Sequence, residues 1–383
     1  MRPNPLGNVP DLRHTGIHRD HWYPLARSHK LKKGGVLAAS FAGEPIVLVR
    51  TESGALYALE NRCAHRQVPL SAGVVSGEQI RCGYHGWAYN GSGRCISVPY
   101  LGKGDALPNG VRSYPCREAY GFLFVFPGDP AAADDRSFPA IPSQGDPDYK
   151  TRYLDRTIQC HYSFMHENLL DMNHQFLHRQ LMGGIRPTLL GLDTGPDWIE
   201  AVYTFSRVSG RQSLGERFMI GRVAEKDQVH DRMTIRTQYP YQILQFIRAG
   251  QDKPALDLWL AYVPVDRRQK VNHSLGLMMI RRPALPGLIH LFWPFIILFT
   301  EGIFGQDRWI VELEQRAYDD QGGDWNQEIF PVIRRLRELL VRQGVPMDAD
   351  NTSERTATPA DLQETVPSAR CGGPDDGTCD RRS

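Results

Sequence analysis

Four residues in two short segments carry the densest chemistry in this sequence. Cys63-Ala64-His65 is followed, after sixteen residues, by Cys82-Gly83-Tyr84-His85. Each segment offers one sulfur and one nitrogen ligand. Two thiolates can hold one iron of a [2Fe–2S] pair and two neutral imidazoles the other, which raises the reduction potential to roughly −150 to +300 mV, well above all-cysteine clusters. A structural zinc site draws on the same residue types, but it usually pairs Cys with Cys on one loop and His with His on a helix. Here each pair is mixed. Gly73, Gly83, Gly86, Gly91 and Gly93 flank the segments and permit the tight backbone a cluster needs. Loop N–H groups can then hydrogen-bond the sulfurs and tune the potential.

A second constellation lies further on. The stretch IQCHYSFMHENLLDMNHQFLHRQLM carries apolar residues at helical spacing without a breaker, which predicts one helix. His174 and His178 stand four apart, so on such a helix their imidazoles share a face and can chelate one metal. Two histidines and one carboxylate form the facial triad that leaves positions open on Fe(II). A His pair at this spacing is weak by itself, being more often solvated or core-satisfied. Asp171 falls on a different turn from the pair, so the carboxylate must come from elsewhere.

CAHRQVPLSAG followed by CGYHGWAYNGSGRC resembles the Rieske domain of ring-hydroxylating and related oxygenases, with Arg66 after the first histidine and Gly86-Trp87 after the second. NLLDMNHQFLH resembles the catalytic-domain motif of the same family. The resemblance implies a [2Fe–2S] cluster on Cys63, His65, Cys82 and His85, and Fe(II) on His174 and His178. As third ligand it favours Asp307 in GIFGQDRWIVELEQ, which resembles the family's late acidic motif, over Glu301, Glu312 and Glu314. Asp307 is expected to open a helix after Gly305, a position that also suits an acid serving only the helix dipole. Asn168 matches a residue close to the iron. Asp171 matches a bridging acid that would accept hydrogen bonds from His174 and from the cluster-ligating His85 of a neighbouring subunit, which implies a head-to-tail homotrimer.

Two residues separate Asn168 from Asp171 and three separate the histidines, which looks more like the single-subunit type, including O-demethylases and pheophorbide-a-like oxygenases, than like two-subunit aromatic dioxygenases. The implied function is a terminal oxygenase that uses O2 to hydroxylate, or oxidatively dealkylate, a small apolar substrate, with aromatic compounds among the candidates. Monooxygenation is favoured over dioxygenation. The alternatives are cis-dihydroxylation or desaturation and, from another class, a non-catalytic electron-transfer protein. The sequence has no G-x-G-x-x-G and no plant-type cysteine run, so electrons from NAD(P)H are expected through a separate ferredoxin or flavin reductase.

These residues need elements to position them. The chain has 383 residues, enough for two domains with their own cores. Short strands punctuated by turns predict a small all-β domain over 20–128, a Pro-, Ala- and Asp-rich linker follows over 129–148, and a catalytic domain is expected over 149–346. The expected class is α+β, the second domain having a large antiparallel sheet flanked by helices, of the helix-grip, START-like kind. Residues 347–383 are polar and expected to be disordered.

A net charge of +2 gives no reason to expect nucleic acid as a partner. The polar N-terminus lacks an apolar signal core, so the cytoplasm is the expected location. Seven cysteines are too sparse for a disulfide scaffold, and Cys95, Cys116 and Cys160 are expected to be plain buried thiols. The apolar run ALPGLIHLFWPFIILFT at 284–300, broken by Pro286 and Pro294, is expected to form core and a substrate channel, with membrane contact the less favoured use.

Overall fold

The computed structural model describes residues 11–102, 104–209, 212, 214–220 and 231–347. The expected tail lies outside the described residues from 348 onward.

The N-terminal half is all β, as its turn-punctuated sequence predicts. Strands Gly35–Phe41, Glu44–Arg50 and Leu56–Glu60 form an antiparallel meander, extended by Ser113–Tyr114. Glu52, Ser53 and Gly54 lie in its second turn. A smaller sheet joins Val74–Ser76, Gln79–Arg81, Ala88–Tyr89 and Cys95–Ser97. The two sheets enclose a compact core of Val47, Val49, Leu59, Leu70, Ile80 and Tyr89, on which Cys63 and Cys82 sit. A third sheet, Cys116–Ala119, Phe122–Val125 and Tyr23–Arg27, instead packs into the main core, where Phe122 and Phe124 meet Trp259 at ring distances of 6.4 and 6.2 Å.

The C-terminal half is built on a seven-stranded antiparallel sheet. Its strands are Tyr149–Ile158 (β1), Gly184–Thr194 (β2), Trp198–Ser209 (β3), Arg232–Gln238 (β4), Tyr241–Ile247 (β5), Leu256–Pro264 (β6) and Asn272–Arg281 (β7), in the order β1-β7-β6-β5-β4-β3-β2. β6 is buried along its whole length, as a central strand should be. The two edge strands, β1 and β2, have no clear apolar alternation. β1 carries Arg and Asp, and β2 carries Pro187 and Gly191, residues that edges tolerate and centres do not.

Among the described residues, five α-helices accompany the sheet: Tyr162–Leu170 (α1), Arg179–Met182 (α2), Leu214–Ile220 (α3), Leu288–Gln321 (α4) and Pro331–Gln343 (α5). Three sequence expectations are corrected here. The single helix predicted across both histidines is broken. α1 ends at Leu170, Asp171 is extended (φ −81°, ψ 91°), and Met172–Phe176 form a 3₁₀ turn. The cause is the Asp171 carboxylate, which accepts from the backbone N–H of Asn173 at 2.9 Å and caps a new turn instead of continuing the old one. Asp307 does not open a helix but lies well inside α4, so an N-terminal dipole role is ruled out. Finally, the 284–300 run is core on one face only, through Ile289 and Ile296. It forms the first half of α4, with Leu291, Phe295 and Leu298 exposed.

Candidate functional site

The two cysteines and two histidines of the first constellation converge. Cys63 and Cys82 are 2% and 4% exposed, whereas His65 is at the surface and His85 half-buried. The imidazole centroids are 4.6 Å apart. Gly86 holds a φ of +71° directly after His85, a backbone that favours glycine. Burial raises the pKa of the Cys82 thiol, and the Cys63 thiol beside it adds to the rise. This sulfur-inside, nitrogen-outside arrangement fits a two-iron cluster buried on its thiolate side and open to electron entry on its imidazole side. Two neighbours complete the site: sequence reasoning missed Tyr89 and named Trp87 only as part of the motif. The Tyr89 hydroxyl lies 3.2 Å from Cys63 Sγ, and Trp87 stacks on His65 with centroids 4.8 Å apart. Trp87 was legible as part of the CGYHGW run; Tyr89 had no signature beyond its alternation in a strand.

The second constellation also assembles, although not on one helix face. His174 stands on the 3₁₀ turn and His178 caps α2, and both reach across to Asp307 on α4. Ligand atoms of the three lie within 4.8 Å of one another. His178 Nε2 is 3.2 Å and His174 Nε2 3.8 Å from Asp307 Oδ1. His178 Nε2 and Asp307 Oδ1 are buried yet have no hydrogen-bond partner, a costly state unless a cation sits between them. Two imidazoles and a carboxylate suit a divalent iron.

The far ring nitrogens explain the orientation. His178 Nδ1 is 2.8 Å from Gln306 Oε1, and His174 Nδ1 contacts the main-chain carbonyl of Asp171. Both Nδ1 atoms therefore donate, leaving both Nε2 lone pairs facing Asp307. Burial pulls the His178 pKa down, but the Asp307 carboxylate and Gln306 outweigh it and the net shift is upward. The expected bond from His174 to the Asp171 carboxylate is corrected: the backbone of Asp171 takes it, while the carboxylate is engaged by the N–H and the amide of Asn173, both at 2.9 Å. Two of the three rival acids are occupied elsewhere. Glu301 pairs with Arg152 and Arg156, and Glu312 accepts from Arg308 and from the Gln159 N–H.

Two spaces flank the triad. An open cleft of about 970 Å³ is lined by Asp171, His174, Asn168 and Gln306. On the other side lies a pocket of about 170 Å³ whose lining includes Leu154, Ile158, Leu260, Phe304 and Asp307. Asn168 borders both. The pocket draws on β1, α1, β6, β7 and the 301–308 turns of α4, not on the 284–300 run as the sequence had led us to expect.

Comparison with known proteins agrees with this geometry. Residues 21–115 match the family described as Rieske [2Fe-2S] domain, and residues 158–331 match that of the vanillate O-demethylase oxygenase C-terminal domain. A 4beta-methylsterol monooxygenase from Methylococcus capsulatus is 32% identical over 354 residues, spanning 88% of this chain and 92% of that protein. Among solved structures, dicamba monooxygenase bound to 3,6-dichlorosalicylic acid superposes with a TM-score of 0.70 at 22% identity, covering 86% of this chain and 98% of that one. The terminal oxygenase of carbazole 1,9a-dioxygenase from Nocardioides aromaticivorans gives 0.65 at 22% identity, covering 88% and 97%.

Proposed function

We propose what this chain does from an established premise: it belongs to the family of Rieske non-haem iron oxygenases. Our reading is that it is a single-subunit terminal oxygenase that hydroxylates, or oxidatively dealkylates, an apolar small molecule. Cys63, His65, Cys82 and His85 hold the [2Fe–2S] cluster, and His174, His178 and Asp307 hold Fe(II). The observation that carries the reading is the unpartnered His178 Nε2 and Asp307 Oδ1, buried beside an apolar pocket.

When bound, the cluster supplies single electrons and the ferrous ion binds and activates O2. The chain supplies geometry and a dry enclosure. Gln306 and the Asp171 carbonyl fix the two imidazoles. Leu154, Ile158, Leu260 and Phe304 exclude water from the substrate side. Tyr262, its hydroxyl donating to Gln242 Oε1 at 3.0 Å, lines the same pocket as a neutral wall, burial and the nearby Asp307 carboxylate holding its pKa well above the usual phenol range. Asn168 separates pocket from cleft.

On the cleft side, Asp171 would receive His85 of a neighbouring subunit in a head-to-tail trimer, and the open cleft beside it leaves room for that contact. Electrons then come from a cytoplasmic ferredoxin or flavin reductase and ultimately from NAD(P)H. The relative named as a methylsterol monooxygenase supports monooxygenation of an apolar compound.

Substituting His174→Ala tests the reading. Product formation and non-cluster iron should be lost while the brown cluster absorbance is kept. An electron carrier would keep turning over with its partner, and that result would reject the oxygenase assignment.

A further inference from the structure

The first half of α4 breaks the rule that a surface helix is apolar on one side only. Its inner face is committed to the protein: Ile289, Ile296 and Phe299 are buried, and Phe292 stacks on Phe218 of α3 at 3.7 Å. Its outer face is apolar too. Leu291, Phe295 and Leu298, at helical spacing, are 66%, 54% and 72% exposed, and Leu285 before the helix and Leu214 of α3 are each 65% exposed. By length and composition α4 would qualify to cross a membrane, but its buried face excludes lipid on all sides.

The border of this patch is basic. Arg281 and Arg282 precede it, Arg217 is exposed on α3, and Lys150 Nζ sits 4.4 Å over the Trp293 ring beside His290. No Asp or Glu occurs from 283 to 300. Among the described residues, acids around the patch are engaged: Glu301 with Arg152 and Arg156, Asp146 and Asp148 with Lys253, and buried Glu216 with Arg207.

From this we infer that the outer face of α4, with Leu285 and Leu214, docks the enzyme on an anionic lipid surface, lying in the interface rather than spanning it. Charge selects this occupant. Two copies meeting through the patch would bring like-charged borders together, whereas an anionic bilayer complements them. Trp293 beside Lys150 suits the headgroup level. The same helix continues into the pocket, Asp307 lying about 13 Å further along it than Leu298. If the oxygenase reading holds, a substrate dissolved in the bilayer would meet the pocket close to the lipid.

The experiment is flotation of the purified full chain with vesicles of phosphatidylcholine, alone or mixed with phosphatidylglycerol. The wild-type protein should float with the anionic vesicles and lose about tenfold of that binding in roughly 0.5 M salt. The triple variant Leu291→Ser/Phe295→Ser/Leu298→Ser should bind roughly a hundredfold more weakly, and Arg281→Glu/Arg282→Glu should lose the preference for anionic lipid. An unchanged circular-dichroism spectrum and melting temperature show that each variant is folded, and the conservative Phe295→Trp should still bind. The inference is overturned if wild-type protein stays in solution with both vesicles, or if the triple variant floats equally well. It is also overturned if the triple substitution only converts a self-associating protein that ignores vesicles into a smaller species. Binding is read without substrate or reductase, so its failure is distinct from failure of the proposed reaction.

Discussion

At the scale of single residues, the atoms around each metal site matter as much as the ligands. Gln306 orients His178 through Nδ1, so Gln306→Leu should weaken iron binding about 10–100-fold while leaving the cluster intact. Iron titration of the apoprotein measures this, and unchanged affinity would deny Gln306 its role. Tyr89 donates towards Cys63 Sγ, a bond that favours the more negative, reduced cluster. Tyr89→Phe should therefore lower the midpoint potential, on the order of tens of millivolts, as redox titration would show. The four cluster residues were readable because their chemistry is local and each loop states its own contribution. Asp307 was not readable from spacing, since it meets the histidines only through folding; resemblance singled it out, together with the expectation, since overturned, that it opens a helix. Gln306, one residue earlier, had no signature at all.

At the scale of elements, the break after α1 is the main lesson. Apolar periodicity crosses Asp171 uninterrupted, but a carboxylate that caps a new turn outcompetes helix continuation, and periodicity cannot register that. The edge strands β1 and β2 were not legible in the sequence, because burial imposes the weakest pattern there. The long helix α4 was read as two pieces because Pro294 and the change from apolar to charged residues mimic a boundary. One element contact has a measurable consequence. Asp155 on β1 is 2.7 Å from both His273 on β7 and Lys30 of the N-terminal half. The hydrogen bond from His273, reinforced by Lys30, holds its carboxyl well below the usual range. A depressed acid contributes its full stability above the unfolded pKa of about 4, and that contribution declines from there and is lost only as pH falls through the depressed folded value. Asp155→Asn should lower stability by about 1–2 kcal/mol at pH 7 and by somewhat less near pH 3, the remainder of the difference vanishing only at lower pH, as denaturant titrations across that range would reveal. Equal losses throughout would mean that packing rather than charge is responsible.

At the scale of the molecule, buried histidines set the acid limit. Burial pushes His166 down to about 3, and burial followed by Arg136 pushes His21 down to about 4. The unfolded chain takes up these protons near pH 6.5 while the folded chain does not, so stability is complete above that pH and declines below it. The melting temperature should fall by several degrees between pH 7 and pH 5, and a flat profile would contradict the burial of these rings. The α+β class and the two-part order were legible in the sequence, because alternation, linker composition and helix periodicity each speak for their own segment. The way the halves share an interior was not, since Phe122, Phe124 and Trp259 look like ordinary strand residues until they meet. That shared interior limits how the chain can be dissected. Cutting it at the 129–148 segment would strip the cover from one wall of the main core on each side of the cut. The severed N-terminal piece would be no miniature ferredoxin, since its third sheet would present bare aromatic rings to water and drive it to clump.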